Sequence, residues 1–249
     1  MMQENANKPI TLSPLLVLKS VGPKLVPFIK TAIVYFVAWL PASQPSSFAA
    51  LVKCLPVLCL IAFVILQGMN SKPQQKYRRL ILFGLILSVI GDALLIWHET
   101  QFVSAMAAFG LAHLAYIYAF ALESENCLLK SFPFAILSFL GIYLMYPGLN
   151  GILVPGVTIY IVLINTMAWR AFAHVDILEN IWSWTKLCAC VGASLFLISD
   201  FVIGMNKFCF EIPGARAVIM VTYYSAQCFI ALSAANTDHL VCDLRAKEK

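Results

Sequence analysis

The chain has 249 residues, of which 61% are hydrophobic and 12% charged, and it carries a formal net charge of +5. Soluble domains hold about 25% charged residues. The composition therefore excludes a soluble globular enzyme and points to one membrane-embedded domain. The excess of Lys and Arg lies between apolar runs, where it reports topology rather than a nucleic-acid partner.

Residues 1–20 read as a polar N-terminal segment. Its first ten residues lack the short apolar core and small-residue cleavage site of a signal peptide, so the first apolar run is expected to stay in the mature protein. A spanning helix needs about 20 largely apolar residues. The chain offers eight such runs, at 21–40, 48–67, 79–97, 102–122, 130–146, 152–172, 185–205 and 215–235. Pro41, Pro45, Pro73, Pro147-Gly148 and Pro213-Gly214 punctuate the connections. The first run is the weakest, since Pro23, Lys24, Pro27 and Lys30 interrupt it. The expected fold is an all-α polytopic membrane bundle of eight transmembrane helices over residues 21–235, followed by a cytosolic tail at 236–249.

Eight spans put both termini on one side. With that side go Lys8, Lys19, Lys24, Lys72, Lys76, Arg78, Arg79, Lys130, Arg170, Lys186, Arg245, Lys247 and Lys249, whereas the other side holds Lys53, Lys207 and Arg216. Basic residues mark cytosolic loops, so both termini are expected in the cytosol. The eight cysteines show no CxxC pair and no zinc spacing with histidine. Within apolar runs they read as small hydrophobes rather than disulfide partners.

Of the twelve acidic residues, Asp92 and Asp200 fall well inside spans. Glu99, Glu123, Glu125, Asp176, Glu179, Glu211 and Asp238 fall between or beyond them. An ionisable group within an apolar span is costly and marks a functional site. The two frames match: Gly84 and Gly192 precede the acids by eight residues, Leu87 and Leu195 by five, Ile90 and Ile198 by two. Spans 3 and 7 cross in the same direction, which predicts an internal repeat and one shared site. A single buried Asp could equally be a structural hydrogen bond between helices; two at one depth in repeated contexts favour function.

Other polar groups reach the same depth: His113 and Tyr116 on span 4, Tyr160 and Asn165 on span 6, and Tyr223, Tyr224 and Gln227 on span 8. Tyr223 and Gln227 share a face at four-residue spacing. Each alone has a bland reading as a satisfied core group, but together they describe a polar cavity. Lys30 and Lys53 flank spans 1 and 2, either snorkelling to the interface or binding phosphate. Pro56, just after Lys53, can open its helix and free carbonyls. His98-Glu99 reads as an interfacial cap. No GxSxG, HExxH, P-loop or GxGxxG occurs, and Val89-Ile90-Gly91-Asp92 lacks the first glycine of an intramembrane aspartyl protease.

Taken together, several stretches resemble the lysoplasmalogenase family of integral membrane hydrolases, nearest its animal branch, the A-type transmembrane protein 86 group. They are Gly22-Pro-Lys-Leu-Val-Pro-Phe-Ile-Lys30, Lys53-Cys-Leu-Pro56, Ser88 to Asp92, Ala112-His-Leu-Ala-Tyr116, Gly192 to Asp200, Asn206-Lys-Phe208 and Thr222 to Gln227. The likeness covers about residues 17–235. It implies cleavage of the vinyl ether bond of lysoplasmalogens in the endoplasmic reticulum membrane, without a cofactor. The implied partners are the lipid substrate and the bilayer, with no nucleic acid and with a homodimer admissible.

That chemistry suits Asp92 and Asp200 as catalytic residues. A vinyl ether is hydrolysed by protonating its β-carbon, which leaves an oxocarbenium ion for water to attack. Burial and a neighbouring carboxylate both favour the protonated form of an acid. A second, ionised carboxylate can stabilise the cation, as in glycosidases. Lys30, Lys53, His113, Tyr116, Tyr160, Asn165, Tyr223, Tyr224 and Gln227 would bind substrate or tune the acid. Three other classes remain: a proton-coupled transporter with repeated intramembrane acids, a metal-dependent lipid hydrolase with Asp92, Asp200 and His113 as ligands, and a lipid-binding or scrambling protein.

Overall fold

A computed structural model describes residues 14–41, 44–67, 74–122, 128–173 and 184–235. Among them are eight α-helices: α1 (Pro14–Ala38), α2 (Ser47–Leu66), α3 (Gln75–Leu95), α4 (His98–Ala121), α5 (Phe132–Met145), α6 (Leu153–Ala173), α7 (Trp184–Phe208) and α8 (Ala215–Ser233). Single 3₁₀ turns at Leu128–Ser131 and Tyr146–Gly148 extend α5 at both ends. The predicted eight-helix order holds. α1 begins at Pro14 rather than at 21, and the other ends shift by four residues or fewer. Seven helices are long and apolar enough to cross a membrane. α3 falls outside that set, because its 21 residues include Lys76, Arg78, Arg79 and Asp92.

The bundle is a ring. α2, α3, α4, α6, α7 and α8 each pack on the next, and α8 closes back on α2. α1 lies outside against α2, and α5 lies outside against α6. On these two outer helices the large apolar side chains, such as Ile33, Val37, Phe132 and Phe139, are exposed, as a lipid-facing surface requires. Helices in lipid gain no hydrophobic drive from packing on one another, so close contact through small residues has to hold them. α4 supplies a buried stripe of Ala105, Ala108, Ala112, Ala115 and Ala119 at alternating three- and four-residue spacing.

The two glycines of the matching frames do the same work. A Cβ at Gly84 would run into the ring of Tyr116, and one at Gly192 would stand 3.0 Å from the Ala226 carbonyl oxygen. The α3–α4 and α7–α8 pairs, which these glycines allow to close, are the most extensive contacts in the bundle. Each acid therefore rides on the first helix of a tight hairpin.

Several local expectations change. α2 runs unbroken through Pro56, and α1 through Pro23 and Pro27. Arg78, expected between spans, is fully buried in α3 and donates from Nε to the Ala234 carbonyl at 3.1 Å, just past the end of α8. A cation there meets the negative end of the helix dipole. Glu99, expected in a connection, is exposed in the first turn of α4, and neither His98 nor Glu99 caps that helix, whose N-cap is Trp97 without a side-chain bond. Glu211 is exposed between α7 and α8. Glu123, Glu125, Asp176, Glu179 and Asp238 lie outside the described residues. The six described cysteines are free.

Candidate active site

Each of the six ring helices turns at least one polar side chain inward. Lys53 comes from α2, Asp92 from α3, His113 and Tyr116 from α4, Tyr160 from α6, Asp200 from α7, and Tyr223, Tyr224 and Gln227 from α8. Arg78, Ser88, Asp92, His113, Ser199 and Gln227 are each at most 1% exposed. A buried polar group costs free energy unless it is bonded, and nearly all of these are.

Asp92 sits in the denser of two networks. Lys53 Nζ lies 3.3 Å from its Oδ1, and Tyr223 donates to its Oδ2 at 2.5 Å. Gln227 Nε2 donates to Tyr223 Oη at 3.3 Å, and Tyr116 donates to Gln227 Oε1 at 3.0 Å. Tyr116 also reaches Ser88 at 3.5 Å. Tyr224 donates to the Lys53 carbonyl at 2.8 Å, one turn before Pro56. Proline disturbs the intrahelical bonding of the preceding turn, so this hydroxyl steadies the backbone beneath the lysine. Lys53 is thus not a snorkelling residue: it is 7% exposed and turned into the ring.

Asp200 has a sparser setting. Tyr160 donates to its Oδ2 at 2.5 Å, and His113 Nε2 lies 3.0 Å from Tyr160 Oη and 3.4 Å from Asp200 Oδ2. With the one hydroxyl proton of Tyr160 committed to Asp200, His113 must donate from Nε2; this tautomer is assigned from the bonding pattern. Among the described residues no Lys or Arg pairs with Asp200.

The two networks meet at Phe196. Its ring centroid is 4.8 Å from that of His113 and 5.5 Å from that of Tyr223, both edge-on. Phe109 adds a second wall, 6.0 Å from Tyr223 and 6.4 Å from Phe196. Each carboxylate has its own donors. Phe109 and Phe196 escaped the sequence reading, although each lies four residues before a polar site residue, His113 and Asp200, and hence on the same helix face.

Two cavities reach the site. One, of about 290 Å³, opens among α4, α5, α6 and α7; it is walled by apolar side chains, with Tyr160, Asn165 and Asp200 among its few polar groups. The other, of about 400 Å³, lies where α1, α3 and α7 end and α2 and α8 begin, and Lys53 lines it. Leu95, Phe102 and Ile203 line both. These volumes suit small-molecule ligands. Asn165 donates to its own helix at Ile161, 2.9 Å away, and borders the apolar cavity rather than either network.

Of the predicted site residues, Asp92, Asp200, Lys53, His113, Tyr116, Tyr160, Tyr223, Tyr224 and Gln227 converge, and Asn165 stands at the cavity wall. Lys30 does not join them. It is exposed on α1, outside the ring. Among the described residues no three His, Cys, Asp or Glu side chains gather as metal ligands would.

The profile of the YhhN family matches residues 48–234. The chain is 44% identical to lysoplasmalogenase TMEM86A of Bos taurus over 94% of its own length and 98% of that protein. It is 40% identical to lysoplasmalogenase TMEM86B of Homo sapiens over 84% of its length and 85% of that protein. It is 28% identical to a lysoplasmalogenase of Mycobacterium tuberculosis over 68% and 66%. No solved structure matches the chain.

Proposed function

Because the chain belongs to the YhhN family, alongside the lysoplasmalogenases it matches along nearly its whole length, we propose that it is an intramembrane lysoplasmalogenase. It cleaves the vinyl ether of alkenyl-glycerophosphoethanolamine or alkenyl-glycerophosphocholine to a fatty aldehyde and the glycerophospho-alcohol. The transporter and metal-hydrolase alternatives draw no support from these relatives. The observation that carries the chemistry is a pair of intramembrane carboxylates with different partners, one of them on the wall of an apolar cavity.

Asp200 acts as the acid. It borders the cavity that suits an alkenyl chain and has no fixed cation beside it. Its proton goes to the β-carbon, the double-bond electrons form the new C–H bond, and the positive charge is shared by the α-carbon and the ether oxygen. The resulting Asp200 carboxylate then takes a proton from water as the water oxygen bonds to the α-carbon. The hemiacetal collapses: its hydroxyl proton moves to the glycerol oxygen, that C–O bond breaks, and aldehyde and alcohol leave. One water is consumed and the acid is restored. Tyr160, backed by His113, holds Asp200 in position. Asp92, paired with Lys53 and held by Tyr223, turns a carboxylate toward the developing cation, where a low-dielectric site strengthens the interaction.

The basic-residue asymmetry supports cytosolic termini, and the family resemblance supports the endoplasmic reticulum. The deciding experiment incubates purified protein with alkenyl- and acyl-lysophosphatidylethanolamine in parallel and assays fatty aldehyde. Aldehyde from the alkenyl lipid alone is the expected result; none from either would overturn the reading.

A further inference from the structure

Of the basic residues in the chain, the distribution along the spans assigns only Lys53, Lys207 and Arg216 to the side poor in positive charge, and all three line the 400 Å³ cavity. Lys53 comes from α2, Lys207 from the last turn of α7 and Arg216 from the first turn of α8, so two helix ends and a third helix meet at one cavity. Lys53 is neutralised by Asp92 at 3.3 Å. Lys207 and Arg216 have no carboxylate partner among the described residues.

Both are nonetheless held in place. Arg216 donates to the Leu40 carbonyl at 2.7 Å and to Tyr35 Oη at 3.4 Å, and its guanidinium lies 4.4 Å over the ring of Trp39. Lys207 Nζ lies 4.3 Å over the ring of Phe102, which lines both cavities. Asn206 accepts from the Ile212 amide at 2.8 Å and braces the turn that brings the two cations to one cavity. Contacts to carbonyls and ring faces orient a cation without cancelling its charge.

We propose that Lys207 and Arg216 form an anion subsite for the phosphate of a lysolipid, an assignment that rests on the lysoplasmalogenase reading of the adjoining site. With the alkenyl chain in the apolar cavity, the lipid passes Leu95, Phe102 and Ile203 into the cationic one. The glycerol carbons that separate the sn-1 oxygen from the phosphate bridge the junction, with Asp200 one turn from Ile203. Arg216, with Nε and Nη1 donating to Tyr35 and Leu40, turns its Nη2 donors to phosphate oxygens, and Lys207 adds a compact point charge. Lys53, its charge already matched, belongs to Asp92 rather than to the phosphate.

The test measures binding rather than turnover. Purified protein in maltoside detergent is titrated with three probes: 1-O-hexadecyl-lysophosphatidylethanolamine, which has no vinyl ether to cleave; 1-O-hexadecylglycerol, which has no phosphate; and inorganic phosphate. Wild-type protein should bind the phospholipid at least about tenfold more tightly than the glycerol ether, a difference of about 1.4 kcal/mol. Lys207→Gln and Arg216→Gln should each erase most of that preference and leave the glycerol ether within about twofold. Arg216 also ties α1 to α8, so if Arg216→Gln does not fold, the exposed Lys207 decides through Lys207→Gln. Unchanged phospholipid binding in the folded variants overturns the subsite. Equal protection by inorganic phosphate, lost with the same substitutions, also overturns it, since the site would then serve the free anion. Aldehyde release by the wild type is read separately: its absence with charge-dependent binding intact refutes the hydrolase, whereas its presence with charge-independent binding refutes the subsite alone.

Discussion

Lys53 and Asp92 form an ion pair inside the helical ring, Nζ to Oδ1 at 3.3 Å, with side chains 8% and 2% exposed. Such pairs contribute little net stability, but removing one partner strands the other and costs about 3–5 kcal/mol. Lys53→Met should therefore lower the melting temperature in detergent markedly, and the double variant Lys53→Met/Asp92→Leu should recover most of the loss. A single variant that melts like the wild type would show that Asp92 needs no cation.

The hydroxyls that reach the acids should matter to turnover more than to folding. A hydrogen bond to a charged group contributes about 1.5–3 kcal/mol, so Tyr160→Phe and Tyr223→Phe should each lower kcat about ten- to hundredfold in protein that remains monodisperse. Gln227 reaches Asp92 only through Tyr223, so Gln227→Leu should have the smaller effect. Full activity in all three would confine the chemistry to the carboxylates themselves.

Chain length should respond to the apolar cavity. Gly141 lines it, and a Cβ there would make only ordinary contact with Ile161 at 3.6 Å, so a larger side chain must project into the space. Each methylene kept out of an apolar site costs about 0.8 kcal/mol, or roughly fourfold in affinity. Gly141→Phe should raise KM steeply for long alkenyl chains and little for short ones. An equal change across chain lengths would move the chain elsewhere.

Topology is tested by tags at each terminus in sealed microsomes. Both should be open to protease, because the basic residues between spans lie mainly on the side of the termini. Protection of both would invert the orientation and put the Lys207–Arg216 cavity on the cytosolic face.

How much of this was legible depended on which physical signal each residue carries. Asp92 and Asp200 stood out because a carboxylate in an apolar run has no routine reason to be there. The eight helices followed from run length alone. Lys53 was ambiguous, since a lysine near the end of a span can snorkel or turn inward, and only the packing of α3 and α8 on α2 decides. Lys30 sits in a similar context but on a helix outside the ring, a placement no local pattern encodes. Lys207 and Arg216 read as topology signals because they are close in space only through the α7–α8 turn. The matched frames of the acids predicted one shared site, yet their partners come from different helices: Lys53 and Tyr223 for one, Tyr160 and His113 for the other.

That asymmetry changes what the acid variants should do. Sequence reasoning expects both Asp→Asn proteins to fold, because an amide is cheaper to bury than a carboxylate. For Asp200 this stands: no Lys or Arg among the described residues loses a partner, and the amide oxygen can still accept from Tyr160. Asp92→Asn, by contrast, leaves the Lys53 ammonium buried without a counter-ion, so it should lose stability as well as activity, and adding Lys53→Met should restore the stability alone. General acid–base participation contributes about 10²–10⁴-fold, and the electrostatic partner a similar amount. Each single variant should fall below about a hundredth of wild-type aldehyde release, and the double variant little lower, because the two act as a unit. Glu99→Gln and Glu211→Gln, on exposed side chains, should be near neutral in both measurements. The readouts are alkenyl-lysophosphatidylethanolamine turnover and melting temperature on monodisperse protein. If Asp200→Asn keeps more than about a tenth of the wild-type rate, well short of the loss that general acid catalysis predicts, Asp200 is not the acid.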